Sequence, residues 1–250
     1  VEDLPRVQGA LPAVSFRFDP GARVTQLLSQ IRVDFFETVK SQIFIVLLLI
    51  TWINMVVAVV FNATEGFGLS SLPVTYNIVD LIRGSMYAFL LGIIAFYTGV
   101  LVWKERDAKL DEVYDALPQS TWTMFLGKLV AMQLIVTIVL STGILVGVLV
   151  QAFNGYNRFQ IGLYLTEILV LDQLSMFFLV MLSMLAHVVS PNKYIGYFLF
   201  IILVVVNAFI WGFLEVSTRM VRYGSLPDYI YSDMYRFAPY QESLVAFGAY

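Results

Sequence analysis

The sequence predicts an all-α membrane protein with about five transmembrane helices. Of its 250 residues, 59% are hydrophobic and 13% are charged, whereas a soluble domain carries about 25% charged residues. The mean hydropathy is +0.80. The apolar residues concentrate in five runs, each long enough for a helix to cross the roughly 30 Å hydrocarbon core of a bilayer.

The residue types that are scarce exclude several kinds of site. The sequence has no cysteine and a single histidine, His187, which excludes disulfides, thiolate metal sites and the H-E-x-x-H motif. Gly127-Lys128 lacks the upstream glycine of a phosphate-binding loop. We therefore expect no catalytic residue, metal or cofactor in this chain, and no nucleic acid partner.

The first 39 residues contain no spanning run and divide into two parts. Residues 1–22 carry three prolines without apolar periodicity, so we interpret them as a linker in a longer polypeptide. Residues 23–39 carry apolar side chains at helical spacing, which predicts a helix lying in the headgroup layer. The alternative is an ordinary helix that packs on a neighbour. The apolar stripe consists of Val24, Leu27, Leu28, Ile31 and Phe35.

The predicted spans cover residues 43–61, 78–103, 124–150, 161–189 and 194–213. Small residues recur three or four positions apart in the second and third spans, a pattern that lets helix backbones approach closely in lipid. These candidate packing residues are Gly84, Ala88, Gly92, Ala95 and Gly99, followed by Gly143 and Gly147. Asp80 and Arg83, three residues apart near the start of the second span, are predicted to pair with each other.

The fourth span is the most polar of the five. At 1.5 Å per residue, Asp172 lies about 15 Å in from the preceding turn, where a carboxylate needs a partner, a proton or water. Asp172 and Gln173 are candidates for lining a pathway, and a polar contact to a neighbouring helix is the alternative. Glu167 and Asp172 are five residues apart, about 140° around an α-helix. They are therefore not expected to converge, which argues against an intramembrane enzyme built from them or from His187.

Residues 214–250 contain six tyrosines and no apolar run of spanning length. Tyrosine favours the membrane–water boundary, so we predict external re-entrant or interfacial segments here. The apolar ending predicts a sixth span beyond residue 250. With five alternating spans and the N-terminus in the cytoplasm, ten Lys and Arg residues fall on the inner side and five on the outer side. This distribution follows the positive-inside bias.

Residues 104–121 form a polar insertion on the cytoplasmic side of this topology. Apolar residues at helical spacing predict an amphipathic helix over residues 105–117 that ends near Pro118. Its other face is mostly acidic, as a docking surface for a partner protein requires. A solvated helix without a partner is the alternative. The apolar stripe consists of Leu110, Val113, Tyr114 and Leu117.

The order of these elements, with the pattern W-K-E-R-D…L-D-E…A-L-P…S-T-W…G-K, resembles the permease subunits of type-2 ABC exporters. The resemblance covers residues 23–250. In that family, a short charged helix between a Glu-Arg start and a Pro-x-Ser/Thr end faces the ATPase. The matching positions are Glu105, Arg106, Leu117, Pro118, Ser120, Gly127 and Lys128. The family usually has six spans, so the five found here depart from it.

The proline-marked entry and tyrosine-rich ending also resemble the second permease half of long bacterial proteins that end in a gluzincin aminopeptidase domain. Nothing in this sequence corresponds to the peptidase. The resemblance implies an exporter subunit in the bacterial cytoplasmic (inner) membrane.

A separate ABC ATPase would bind ATP and Mg, and a second permease half would join as a homodimer, heterodimer or tandem fusion. The alternative is a non-transporting anchor or scaffold for a fused or bound enzyme. The residues expected to couple to the ATPase are Glu105, Arg106, Asp107, Glu112, Tyr114, Leu117 and Pro118.

Overall fold

A computed structural model describes residues 20–62, 65–66, 69–70, 72–110, 120–216, 221–227 and 229–249. Its long helices are α1 (Pro20–Val39), α2 (Gln42–Asn62), α3 (Thr75–Asp107), α4 (Thr121–Phe153), α5 (Ile161–Val189) and α6 (Lys193–Phe213). A short antiparallel pair, β1 (Glu65–Gly66) and β2 (Leu69–Ser70), lies between α2 and α3. A 3-10 turn (Ala238–Tyr240) leads into α7 (Gln241–Ala249).

Helices α2 to α6 are each long and apolar enough to cross a bilayer, which confirms the predicted all-α membrane protein. Each helix contains its predicted span. Helices α2 and α6 leave many large apolar side chains exposed, including Val57, Phe198 and Phe209. A surface of this kind is costly in water and suits contact with lipid.

Helix α3 lies at the centre of the bundle and contacts α2, α4, α5 and α6. Its buried side chains, such as Met86 and Ile94, pack with Val139 of α4 and Val180 of α5 in one continuous core. Helix α3 therefore touches every other spanning helix.

The predicted small-residue contacts divide into two groups. A Cβ atom at Gly143 would lie 2.9 Å from Ile82 Cγ2, and one at Gly147 would lie 2.7 Å from the Tyr164 hydroxyl, so both glycines permit close packing of α4. Gly99 likewise accommodates Tyr197 of α6. By contrast, Gly84 and Gly92 have no atom within 4 Å of such a Cβ, and Ala88 beside them is exposed. These last three do not pack against the described part of the chain.

Helix α3 ends in a Schellman motif, in which the amides of a left-handed residue and of the residue after it donate to carbonyls of the last helical turn. The Leu110 amide donates to the Glu105 carbonyl at 2.9 Å, and the Lys109 amide donates to the Arg106 carbonyl at 3.0 Å. Lys109 has φ 54°. The prediction of one helix over residues 105–117 is therefore wrong: residues 105–107 complete α3, and the chain turns at Lys109. Residues 111–119 lie outside the described residues.

Helix α1 packs on α4, where Gly127 leaves room for Gln30: a Cβ atom at Gly127 would lie 2.8 Å from Gln30 Cγ. This contact agrees with the alternative prediction for residues 23–39, an ordinary helix that packs on a neighbouring helix. Val24 and Leu28, on the predicted apolar stripe, remain exposed. Their placement in the headgroup layer stays a prediction.

The described residues after α6 fold back onto α5. Gly224 lies against Phe178, and the rings of Phe178 and Phe247 are 5.5 Å apart in an edge-to-face contact. The Ser175 hydroxyl donates to the Gly224 carbonyl. This packing brings Tyr229, which follows α6, close to Arg83 of α3.

Candidate functional site

Two groups of charged side chains lie near the two ends of α3. The Arg83 cluster comprises Asp80, Arg83, Glu167, Asp172 and Tyr229. The Glu105 cluster comprises Asp34, Glu37, Lys104, Glu105, Asp107, Lys128 and Lys193. Because Arg83 and Glu105 are 22 residues apart on one helix, about 33 Å separates them at 1.5 Å per residue. This distance is close to the roughly 30 Å thickness of a hydrocarbon core.

Glu105 faces inward and forms a buried ion pair with α4. The Lys128 ammonium donates to Glu105 Oε2 at 2.6 Å, and both residues are buried. The sequence predicts instead an exposed acidic face that includes Glu105, and this prediction is wrong for Glu105. Lys128 stands in the same resemblance pattern and on the same side of the predicted topology, but nothing in that pattern predicts the pairing.

Lys104 joins the end of α3 to α1. Its ammonium donates to Asp34 Oδ1 at 2.9 Å and to Glu37 Oε2 at 2.5 Å. Asp34 is fully buried, and the Gln30 amide donates to its other carboxylate oxygen at 2.7 Å. A carboxylate that accepts two such bonds is well compensated for its burial.

Two further predicted coupling residues lie at the surface. Asp107 accepts a hydrogen bond from Lys193 at 2.7 Å, which joins α3 to the start of α6. The Arg106 guanidinium lies over the Trp103 ring, 4.8 Å from its centre, and remains exposed. The other predicted coupling residues, Glu112, Tyr114, Leu117 and Pro118, lie outside the described residues. The cluster thus ties α3 to α1, α4 and α6 immediately before that segment.

The Arg83 cluster begins with the predicted pair and extends beyond it. Arg83 Nη1 donates to Asp80 Oδ1 at 3.1 Å, which confirms the expected pairing. Its Nε also donates to Asp172 Oδ1 at 2.8 Å, and its Nη2 donates to Glu167 Oε2 at 3.0 Å. Both of these carboxylates are buried. Arg83 therefore holds α3 and α5 together.

A change of helix type explains how Glu167 and Asp172 both reach Arg83. Within α5, the segment Leu165–Asp172 is a π-helix, between α-helical turns at Ile161–Tyr164 and Gln173–Val189. A π-helix bonds residue i to residue i+5, so residues five apart share one face. The expectation that these two carboxylates diverge is wrong, because it assumed the α-helical period throughout.

Tyr229 completes the cluster from the tail. Arg83 Nη2 donates to its hydroxyl oxygen at 2.7 Å, and the hydroxyl donates to Glu167 Oε2 at 3.1 Å. Burial raises the pKa of Tyr229 above its ordinary value, so the phenol keeps the proton that this bond requires. The sequence predicts only that the tyrosines of residues 214–250 lie at the membrane interface. No local pattern distinguishes Tyr229 from the others.

A cavity of about 210 Å³ opens beside the Arg83–Asp172 pair. Asp172 is 4% exposed, and its Oδ2 atom has no hydrogen-bond partner in the part of the chain that the structure describes. The wall is formed by Arg83, Met86, Tyr87, Leu90, Leu140, Asp172, Ser175, Met176, Gly224, Ser225 and Leu226.

Gln173, the other candidate pathway residue, lies elsewhere. Its amide nitrogen donates to Gln133 Oε1 at 2.7 Å, and its amide oxygen accepts from the Thr137 hydroxyl at 3.3 Å. Gln173 therefore joins α5 to α4, which is the alternative predicted for it, a polar contact to a neighbouring helix. Asp172, by contrast, lines the cavity.

His187 does not join Glu167 and Asp172. It is fully buried between α3 and α6, where Gly99 and Gly196 leave room for its ring and for Tyr197. It lies 15 residues beyond Asp172 on the same helix, about 22 Å at 1.5 Å per residue. Among the described residues, no group of three or more His, Asp or Glu side chains is arranged to hold a metal ion.

The comparisons with known proteins do not assign the chain to a family. No family model matches the sequence, and neither a curated protein nor a solved structure matches it. A functional assignment therefore depends on the two clusters and on the resemblance described above.

Proposed function

We propose that this chain is the transmembrane permease subunit of an ATP-driven ABC exporter. The buried Glu105–Lys128 ion pair carries the proposal. It joins the end of α3 to α4 immediately before the segment that the resemblance assigns to ATPase contact. A buried pair of this kind resists separation, because either charge left alone in the interior is costly.

The ion pairs of the Glu105 cluster supply a route for mechanical coupling. Lys104 binds α1, Glu105 binds α4 and Asp107 binds α6. A partner that displaces the end of α3 therefore displaces three further helices with it. An ATPase drives such a change only if it binds the two states of the permease with different affinity.

The proposed roles of the coupling residues differ. Glu105 acts inside the chain as a positioning residue, whereas Arg106 is exposed and stacked on Trp103, in a geometry suited to a partner's carboxylate. We assign Glu112, Tyr114, Leu117 and Pro118 to the same docking surface on the resemblance alone. ATP and Mg belong to the partner ATPase.

The proposed setting is the bacterial cytoplasmic (inner) membrane, with the N-terminus and the Glu105 cluster on the cytoplasmic side. The Arg83 cluster then lies toward the outside. A second permease half would pack on α3 along Gly84, Ala88 and Gly92, which are free of intrachain packing in the described structure. Small residues at such a face allow close helix contact in lipid.

The test measures coupling across the bundle in the chain purified from its native membrane with its bound ATPase. Because the sequence has no cysteine, a single Ser225→Cys substitution gives this chain one labelling site, in the wall of the cavity beside the Arg83 cluster. We expect ATP to change the labelling rate at this cysteine at least threefold. Glu105→Gln should remove this response while the ATPase remains bound. Arg106→Glu should lower the copurifying ATP hydrolysis at least fivefold.

Glu242→Gln, an exposed acid-to-amide change in α7, is the matched control and should leave both measurements unchanged. Absence of any copurifying ATPase would favour the anchor or scaffold instead. An ATP response in Glu105→Gln equal to that of Glu242→Gln would refute the coupling role of the buried pair.

A further inference from the structure

An unsatisfied buried charge lies next to the cavity that Asp172 lines. Asp172 Oδ1 accepts from Arg83 at 2.8 Å, but Oδ2 has no partner among the described residues although the side chain lines an open volume of about 210 Å³. A buried polar atom without a partner costs free energy, and a charged one costs more. Oδ2 itself is enclosed beside the cavity and is not open to it. A buried atom without a partner indicates a missing donor, and a donor in the cavity reaches Oδ2 only if the carboxylate turns toward it.

The charges of the cluster indicate what that donor carries. One guanidinium, that of Arg83, serves the buried carboxylates of both Glu167 and Asp172, and Asp80 adds a third carboxylate at the surface. Tyr229 is neutral. The cluster therefore has an excess of negative charge, and a ligand with one positive charge would balance its buried part.

The wall of the cavity does not suit Ca²⁺ or Mg²⁺ as the ligand. Ca²⁺ and Mg²⁺ require about six oxygen ligands, and the described residues offer no metal-binding group. Most of the wall is apolar and includes Met86, Leu90, Leu140 and Met176. Thioether and aliphatic side chains adapt to irregular apolar groups.

We propose that this cavity binds a small primary ammonium compound with an apolar body, whose ammonium group pairs with the Asp172 carboxylate once that carboxylate turns Oδ2 toward the cavity. The volume is below the roughly 300–1,000 Å³ of pockets for drug-sized ligands, so the body is limited to about the size of one aromatic ring. The tail contributes Ser225 and Leu226 to the wall. Movement of residues 221–227 would therefore open or close the site.

This inference goes beyond the proposed transport function, because it concerns equilibrium binding at the Arg83 cluster and requires neither an ATPase nor the Glu105 cluster. A chain without any ATPase partner is equally expected to bind the ammonium compound. Failure of one proposal therefore leaves the other standing.

Binding of benzylammonium to the full chain in lipid nanodiscs, measured by titration calorimetry, tests the proposal. We expect saturable binding of benzylammonium, with benzyl alcohol at least tenfold weaker and benzoate not bound. Asp172→Asn keeps the shape of the side chain and removes its charge, and should weaken benzylammonium at least tenfold, as expected for loss of a charged hydrogen bond.

Asp80→Asn is the matched control, because Asp80 shares Arg83 but does not line the cavity. It should change the affinity less than twofold. If Asp172→Asn does not fold, Ser225→Phe fills the cavity without altering charge and should abolish binding. The proposal is overturned if the native chain shows no saturable binding, or if Asp172→Asn or a folded Ser225→Phe binds benzylammonium as the native chain does.

Discussion

Arg83 has the largest number of charged contacts of any single side chain in the described structure. The local part of this arrangement, the pair with Asp80, was predictable because residues three apart on a helix are neighbours. The contacts to Glu167, Asp172 and Tyr229 are separated from Arg83 by 84, 89 and 146 residues. They depend on how α3, α5 and the tail pack, which no local pattern of residues encodes.

Removal of the Arg83 charge should destabilise the fold strongly. Arg83→Gln would leave Glu167 and Asp172 buried without a counter-ion, at a cost of about 3–5 kcal/mol. Asp80→Asn is the control: the Asp80 side chain is 72% exposed, so it should cost at most about 1 kcal/mol. The free energy of unfolding, measured by denaturant titration in mixed micelles, distinguishes them. Equal losses for both variants would contradict a buried network centred on Arg83.

Glu105 is buried, although its position in the sequence predicts an exposed side chain. A charged residue beside a predicted span is ordinarily taken to face water, and its neighbours Arg106 and Asp107 do so. Glu105 is buried because Lys128 approaches from α4, 23 residues later. Both positions appear in the pattern that resembles the exporter permeases, but nothing in the sequence predicts that they pair.

The positions of the helices were largely predictable, because length and hydropathy alone determine which segments cross a bilayer. Their ends and internal irregularities were not. Lys109 adopts the left-handed conformation that glycine usually supplies at the end of a helix, so the end of α3 carried no recognisable signal. The π-helical turn of α5 likewise has no local sequence mark, and it brings two carboxylates to one face.

The π-helical segment contains one residue more than an α-helical turn would need, so α5 should tolerate the loss of one residue there. Deletion of Val170 would restore the α-helical period and leave Glu167 and Asp172 four apart on one face. Deletion of Leu185 is the matched control, since both side chains are 58% exposed on the same helix. Deletion of Leu185 would rotate His187 by about 100° around the helix axis, out of its buried position.

Thermal unfolding followed by size-exclusion chromatography measures the outcome. The Val170 deletion should remain monodisperse, with a midpoint within about 3 °C of the native chain, a shift that corresponds to about 1 kcal/mol for a chain of this length. The Leu185 deletion should aggregate. A Val170 deletion as damaging as the Leu185 deletion would show that the π-helical turn is not an insertion of one residue.

At the scale of the whole molecule, one central helix links two charged clusters about 33 Å apart, from 22 residues at 1.5 Å each. The Glu105 cluster joins α3 to three helices at one end, and the Arg83 cluster joins it to α5 and the tail at the other. This arrangement suits the proposed permease, in which displacement of one end of α3 would alter the cavity near its other end. The composition predicted the membrane, but the connection between the two ends follows only from the packing.

The central claim is that an ATPase docks beside the end of α3. The most direct measurement is site-specific photo-crosslinking in intact native membranes, with a benzophenone amino acid in place of Arg106 and, as control, in place of Asn154 at the opposite end of the bundle. Both positions are exposed. The account predicts that the probe at Arg106 yields an adduct with a protein containing the phosphate-binding loop G-x-x-x-x-G-K-[ST], and that the probe at Asn154 does not. No ATPase adduct from Arg106, or an equal yield from Asn154, would contradict it.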